Sequence, residues 1–373
     1  MRRGVMVIAV FWGFLFLLYA AQAIGGATSP PGVDGKEWQE LVTKAQKEGT
    51  VSVYSTYLPA ETRKVVQQAF KKKYSINVEY TAGTGGEIAQ KFKTEWTAGL
   101  RIVDLFHVGI IEFRDMIKPM KVTIPIEPLL MLPEVVNHAK WRGGRLPYLD
   151  ADKHAFMLVL LADNFYVIKT DLVKMDEIRS TLDVLNPKWK GKIILLDPTI
   201  PGNSNAWFVH TIVRVLGQER GEKFMRDLLL KQEPTVVRDS RQAVEGVARG
   251  KYPLVIGASV TQPVEFIRNG APIAFAKLNE PTYMTAGTVI FSIKEVPHPN
   301  AAKLFTNWIV SREGSSLYAP SHGYPSARLD VSTEGFVPAI IPGPADRSSD
   351  TEEYMAERAR LMKLAVDIFK GTR

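Results

Sequence analysis

The chain has 373 residues, 46% of them hydrophobic and 23% charged, which supplies apolar material for two cores and excludes disorder as the main state. It contains no cysteine, so disulfides, thiolate metal sites, a cysteine nucleophile and a lipid-carrying cysteine after the leader are all excluded. The formal charge of +8 is spread out; its densest run, Lys71-Lys72-Lys73, ends an amphipathic segment where cations suit the helix dipole, and no basic stripe interleaves with aromatics, so nucleic-acid binding is not expected.

Arg2 and Arg3, the apolar run Val5 to Tyr19 and Ala21-Gln22-Ala23 read as a signal peptide over residues 1–23, cleaved on export to the periplasm. Residues 24–35, with Gly25-Gly26 and Pro30-Pro31-Gly32, read as a flexible leader. The body then alternates helix-like and strand-like runs. Trp38, Leu41, Val42 and Ala45 recur at helical spacing, and Gly49 stops that helix before a strand at Val51 to Ser55. A helix with the stripe Val65, Val66, Ala69 and Phe70 leads to a strand at Asn77 to Tyr80; a helix lined by Ile88, Phe92 and Trp96 leads to a third strand at Val103 to His107. Residues 110 to 155, richer in Pro and Gly, read as a segment wrapping this lobe.

A second set comprises strands at Phe165 to Ile168, Ile193 to Asp197 and Leu254 to Gly257, with helices from about Asn203 to Leu216 and after Asp239. Ile273 to Phe275 and Thr288 to Ile293 read as strands returning to the first lobe, followed by a helix carrying Ala302, Phe305, Trp308 and Ile309. A last amphipathic helix spans Thr351 to Phe369. The expected fold class is α/β, two lobes of mostly parallel sheet flanked by helices and joined by two crossover strands: 36–161 with 274–310, and 162–273 with 311–373.

An ordered set of segments carries a resemblance: Val51-Ser52-Val53-Tyr54-Ser55, Gly83-Thr84-Gly85-Gly86-Glu87-Ile88, Asp104-Leu105-Phe106, Asn186-Pro187-Lys188-Trp189-Lys190-Gly191-Lys192, Val247-Ala248-Arg249-Gly250 and Pro299-Asn300-Ala301-Ala302-Lys303-Leu304-Phe305. The chain resembles the ferric-iron-type branch of the type II periplasmic solute-binding proteins. The resemblance implies a ligand cleft between two lobes, hinge closure over the solute near Ala162 and Ala274, and delivery to the permease of an ABC importer in the inner membrane by a monomer without a cofactor. Strand C-termini and helix N-termini of α/β sheets favour polar or anionic ligands at such a cleft. Both routes select Ser55, Thr56 and Tyr57 with Thr84, Gly85, Gly86 and Glu87 in the first lobe. In the second they select Thr199, Asn203, Ser204 and Asn205, then Arg238, Ser240 and Arg241, and Ser259 and Thr261, with Tyr283 as a further lining residue.

The resemblance implies an iron-ligand set of one histidine, one glutamate and a tyrosine pair, and this sequence departs from it. Glu87 matches the glutamate, but Ser55-Thr56-Tyr57-Leu58 supplies no histidine, and Gly257-Ala258-Ser259-Val260-Thr261-Gln262 stands where the tyrosines belong. Hydroxyls, amides and free backbone N–H groups remain, chemistry suited to a carboxylate, phosphonate or phosphate, with Arg238 and Arg241 as a clamp. The same residues have structural alternatives: Thr84 and Asn203 as helix caps, Glu87 as a dipole partner, the arginines as solvated charges and Tyr283 as core. The six histidines show no metal-ligand spacing, so no metal site is expected. Iron transport and presentation of ligand to a membrane sensor are alternatives within binding proteins. A secreted α/β hydrolase is the enzyme alternative, and Gly257-Ala258-Ser259-Val260-Thr261 lacks the final glycine of a nucleophile elbow. No enzymatic activity is expected.

Overall fold

Asp34 opens the first helix, α1 (Gly35–Glu48), by accepting hydrogen bonds from the N–H groups of Lys36 and Glu37, and Gly49, at φ 72°, closes it in the left-handed conformation that glycine adopts without strain. The computed structural model describes residues 30–56, 58–200, 207–208, 210–280, 283–343, 347–348 and 352–371. The chain then winds as β1 (Thr50–Thr56), α2 (Ala60–Tyr74), β2 (Asn77–Gly83), α3 (Gly85–Thr97) and β3 (Leu105–Val108). β1 lies parallel between β2 and β3, pairing Val53 with Tyr80 and with Leu105. Residues 112–144 form short helical turns wrapped over this sheet.

A strand absent from the sequence reading follows, β4 (Phe156–Ala162), buried at every position. It pairs antiparallel with β10 (Tyr283–Ser292), which itself pairs antiparallel with β3. From Ala162 the chain crosses to a second sheet of β5 (Tyr166–Lys169), β6 (Ile193–Leu196), β7 (Thr235–Val237), β8 (Leu254–Ile256) and β9 (Ile273–Phe275), ordered β7-β6-β8-β5-β9. β6, β7 and β8 run parallel, and β5 runs antiparallel to β8 and β9. This sheet carries α4 (Gln218–Lys231), α5 (Ser240–Ala248) and α6 (Thr261–Arg268).

Two boundaries differ from the sequence reading. β9, expected to return to the first lobe, is hydrogen-bonded to β5, so the return crossing follows Phe275 rather than lying at Ala274. After α7 (Pro299–Val310), the helix α8 (Arg312–His322) stays with the first sheet: Tyr318, Ala319 and Ala327 join its core, whereas 311 onward was expected in the second lobe. A three-residue strand and an amphipathic helix carry no information on which sheet they join, and tertiary packing decides. Phe336 and Ile340 then pack on one face of the second sheet, β11 (Arg347–Ser348) pairs with Tyr283 and Met284, and α9 (Glu352–Gly371) covers the other face. The start of the helix expected from Asn203 lies outside the described residues; its later part is a π-helical stretch, Thr211–Leu216.

Candidate ligand-binding site

Parallel pairing brings the C-terminal ends of β1, β2 and β3 to one edge of the first sheet. Val108 at the end of β3 faces Val289, and the preceding part of β10, 283–288, runs past that edge to the crossover. In the second sheet Tyr166, at the start of β5, faces Ile256 at the end of β8, so the loops after β6, β7 and β8 also lie at the crossover end. Both sets of loops therefore open toward the junction between the sheets, where strand ends and helix N-termini present unpaired N–H groups.

In the first lobe, Ser55 and Thr56 are buried rather than open. Thr56 Oγ1 accepts from the N–H of Gly109 at 3.2 Å and so holds the loop after β3, while Ser55 Oγ has no partner among the described residues. Tyr57 lies outside the described residues. Thr84 and Glu87 form a capping box: Oε2 of Glu87 accepts from the N–H of Thr84 at 2.8 Å and from its hydroxyl at 2.9 Å. Those bonds hold the Glu87 carboxyl below the usual carboxylate range. The cap alternative thus describes both residues. Gly86 is open to solvent, but Gly85 is covered by a residue that no local pattern singles out, Glu112, whose Oε1 occupies the place of a Cβ at position 85 and whose Oε2 would lie 2.6 Å from one at Gly109. Glu112 is 5% exposed, and burial raises its carboxyl above the ordinary range. The protein's own carboxyl group thus sits at the head of α3, where a ligand anion was expected.

Behind this edge lies a row of rings, buried at His107 and Tyr318 and half-buried at His322 and Tyr324, that sequence spacing does not reveal, because its members come from β3, from α8 and from the turn just after it. His107 stacks on Tyr318 at 4.8 Å, Tyr318 meets His322 at 5.2 Å, and His322 meets Tyr324 at 4.8 Å between centroids. Burial pushes His107 down to about 3 and His322 to about 4, so both rings are neutral at physiological pH.

The second lobe brings three predicted residues together. Ser240 Oγ accepts from the N–H of Ser259 at 2.8 Å, and the hydroxyls of Ser259 and Thr261 lie 3.0 Å apart, all three partly exposed. Asp239 caps α5 beside them by accepting from the N–H of Gln242 at 2.6 Å. Arg238 is exposed and has no hydrogen bond or ion pair among the described residues. Arg241 is engaged instead, its Nη1 donating to both Glu265 oxygens at 3.0 and 2.9 Å. Thr199 donates its hydroxyl to Asp197 at 2.6 Å and lines a small recess with Phe369 and Lys370 of α9. Tyr283 is buried under the guanidinium of Arg214, 4.8 Å from its ring centre, and beside His210. Asn203, Ser204 and Asn205 lie outside the described residues.

Among the described residues no group of three or more His, Cys, Asp and Glu is placed to hold a metal ion, and no helix is long and apolar enough to cross a membrane. Solved structures share the fold. Iron-bound HitA from Pseudomonas aeruginosa matches with a TM-score of 0.62 at 16% identity, over 86% of this chain and 99% of that one. The Bordetella ferric binding protein gives 0.65 at 20%, over 87% and 98%. AfuA from Actinobacillus pleuropneumoniae, with exogenous fructose-6-phosphate bound, gives 0.58 at 17%, over 86% and 99%. In sequence, an uncharacterised protein of Haemophilus influenzae is 29% identical over 138 residues, 36% of this chain, and the match spans 38% of that relative's length. The family model of the bacterial extracellular solute-binding proteins, which are binding proteins and not enzymes, matches residues 34–315, and the chain belongs to that family.

Proposed function

We propose that the protein is the periplasmic solute-binding component of an ABC importer, exported with its leader cleaved after Ala23, and that it captures a small organic anion of the carboxylate, phosphonate or phosphate type by closing its lobes as a monomer. Family membership supports the transport role and a permease partner. The observation that carries the ligand class is the cluster of Ser240, Ser259 and Thr261 hydroxyls two residues from Arg238, which has no partner among the described residues; Ser259 and Thr261 stand where the resemblance would put tyrosines. Hydroxyl donors and a guanidinium match the acceptor-only oxygens of such anions. Glu112 at the head of α3 sets a condition: the anion is gripped chiefly from the second lobe, with the first lobe closing over it.

Calorimetric titration with a panel of sugar phosphates, alkylphosphonates, dicarboxylates and ferric citrate tests this. An anion from the panel is expected to bind, with Arg238→Ala and Ser259→Ala each weakening it about tenfold or more, as loss of a charge-assisted hydrogen bond predicts. Binding of ferric citrate with no response to the iron-free anions would overturn the ligand class. Mass measurement of the exported protein checks the cleavage site.

A further inference from the structure

A cavity of about 500 Å³ lies at the crossover itself, within the size range of small-molecule sites. Its walls come from Ala162–Tyr166, from Phe275–Leu278 with Glu280, and from Pro338–Gly343, the passes of the chain between the sheets. None of Ser55, Thr84, Arg238, Ser240 or Ser259 lines it, so it is separate from the loops described above.

Most of the wall is apolar, with Phe165, Phe275, Leu278 and Ile341 among its members, and a few polar groups converge on it. Glu280 is anchored through Oε1, which accepts from the N–H of Thr181 at 2.5 Å, while its Oε2 is buried and has no partner among the described residues. His210 is 9% exposed, wedged between Phe165 and Tyr283, and its Nδ1 is likewise buried and without a partner among the described residues. A carboxylate only accepts hydrogen bonds, and a neutral imidazole accepts at Nδ1 when its proton is on Nε2. Burial, aided by Arg214, pushes His210 down to about 4, so it remains neutral. Asp163 adds a second carboxylate to the wall; the nearby cations are the exposed Lys277 and, behind His210, Arg214 over the ring of Tyr283. Leaving buried acceptors without donors costs free energy that a donor-rich ligand recovers.

We infer that this crossover cavity is a second ligand site, built for a small organic ammonium with an apolar body. The ammonium donates to Glu280 Oε2 and His210 Nδ1, and the apolar part lies against Phe165 and Phe275. An anion of the same shape brings no donor to Glu280 Oε2 and meets its charge, so it is disfavoured.

Calorimetry on the full-length mature protein with phenethylammonium as probe, and phenylacetate as its anionic counterpart, tests the assignment. Phenethylammonium is expected to bind with a stoichiometry of one and phenylacetate not to bind. Glu280→Gln is expected to weaken the probe about tenfold or more, the range set by losing a hydrogen bond to a charged group. Lys277→Ala, at an exposed position that the fold does not depend on, is expected to tighten it severalfold, which keeps the test open should Glu280→Gln fail to fold. Absence of saturable binding to the parent protein, equal binding by Lys277→Ala and parent, or preference for phenylacetate would each overturn the site. These outcomes are independent of whether the loops after β7 and β8 bind an anion.

Discussion

His107 and His322 are neutral in the folded protein because burial depresses them to about 3 and about 4, while in the unfolded chain they titrate near the ordinary imidazole value of about 6.5. The unfolded state therefore takes up protons first as pH falls. Stability is fully present above about pH 6.5 and declines toward the folded-state values, by about 1.4 kcal/mol per pH unit for each ring that stays neutral. The thermal midpoint is expected to fall steadily from pH 7 to pH 5, and His322→Asn to flatten that slope; scanning calorimetry across the range checks it. A second prediction concerns the close approach of Gly85 and Glu112. Gly85→Ala places a methyl group where Oε1 stands and is expected to cost about 1–3 kcal/mol, the usual range for overpacking. Glu112→Ala in the same chain is expected to restore part of the loss, giving a coupling measurable in a double-mutant cycle by urea denaturation. The cap at Thr84 was readable from the sequence because a capping box is local. Glu112 was not, because its contact with Gly85 exists only once the segment after β3 folds back on the start of α3.

Among the elements, those with a strong period or a bounded apolar run were legible: α1 with its stripe and glycine stop, β1, β2, β6 and the final helix α9 fall close to their expected places. β4 escaped because a strand buried on both faces shows no alternation and sits at the edge of a loop-rich segment. β9 was seen as a strand but assigned to the wrong sheet, since three residues do not encode a partner. α9 matters beyond its position at the end of the body. Leu361, Ala365, Ile368 and Phe369 are buried in a core shared with Trp207, Phe224 and Leu228, so this helix closes one face of the second sheet. Deleting residues 352–373 uncovers that face and is expected to lose on the order of 5 kcal/mol from the apolar side chains alone. Calorimetry should then show the second lobe unfolding ahead of the first.

At the scale of the molecule, the two sheets are linked by more than the two crossovers expected from sequence. Besides the passes that follow β4 and β9, the chain runs from Ala327 in the first core to Phe336 and Ile340 on the second sheet, and β11 pairs with β10 before α9 returns to the second core. Tyr324 packs against both the first core and the cluster that holds Phe336. Closure over a bound anion is expected to reduce the radius of gyration in small-angle scattering, and the several passes favour rotation about one axis over free tumbling of the lobes. Which solute triggers this is not legible in the sequence, since the proposed site depends on how hydroxyls and a guanidinium from separate segments, 238–240 and 259–261, are brought together, and spacing along the chain does not encode that.

Because α1 packs in the core of the first sheet and α9 in that of the second, the proposed closure would move the opening and the final helix of the body relative to one another. Fluorophores attached to their exposed faces would convert the motion into a change in energy transfer, making the protein a reporter of its own solute without any engineered junction inside the fold.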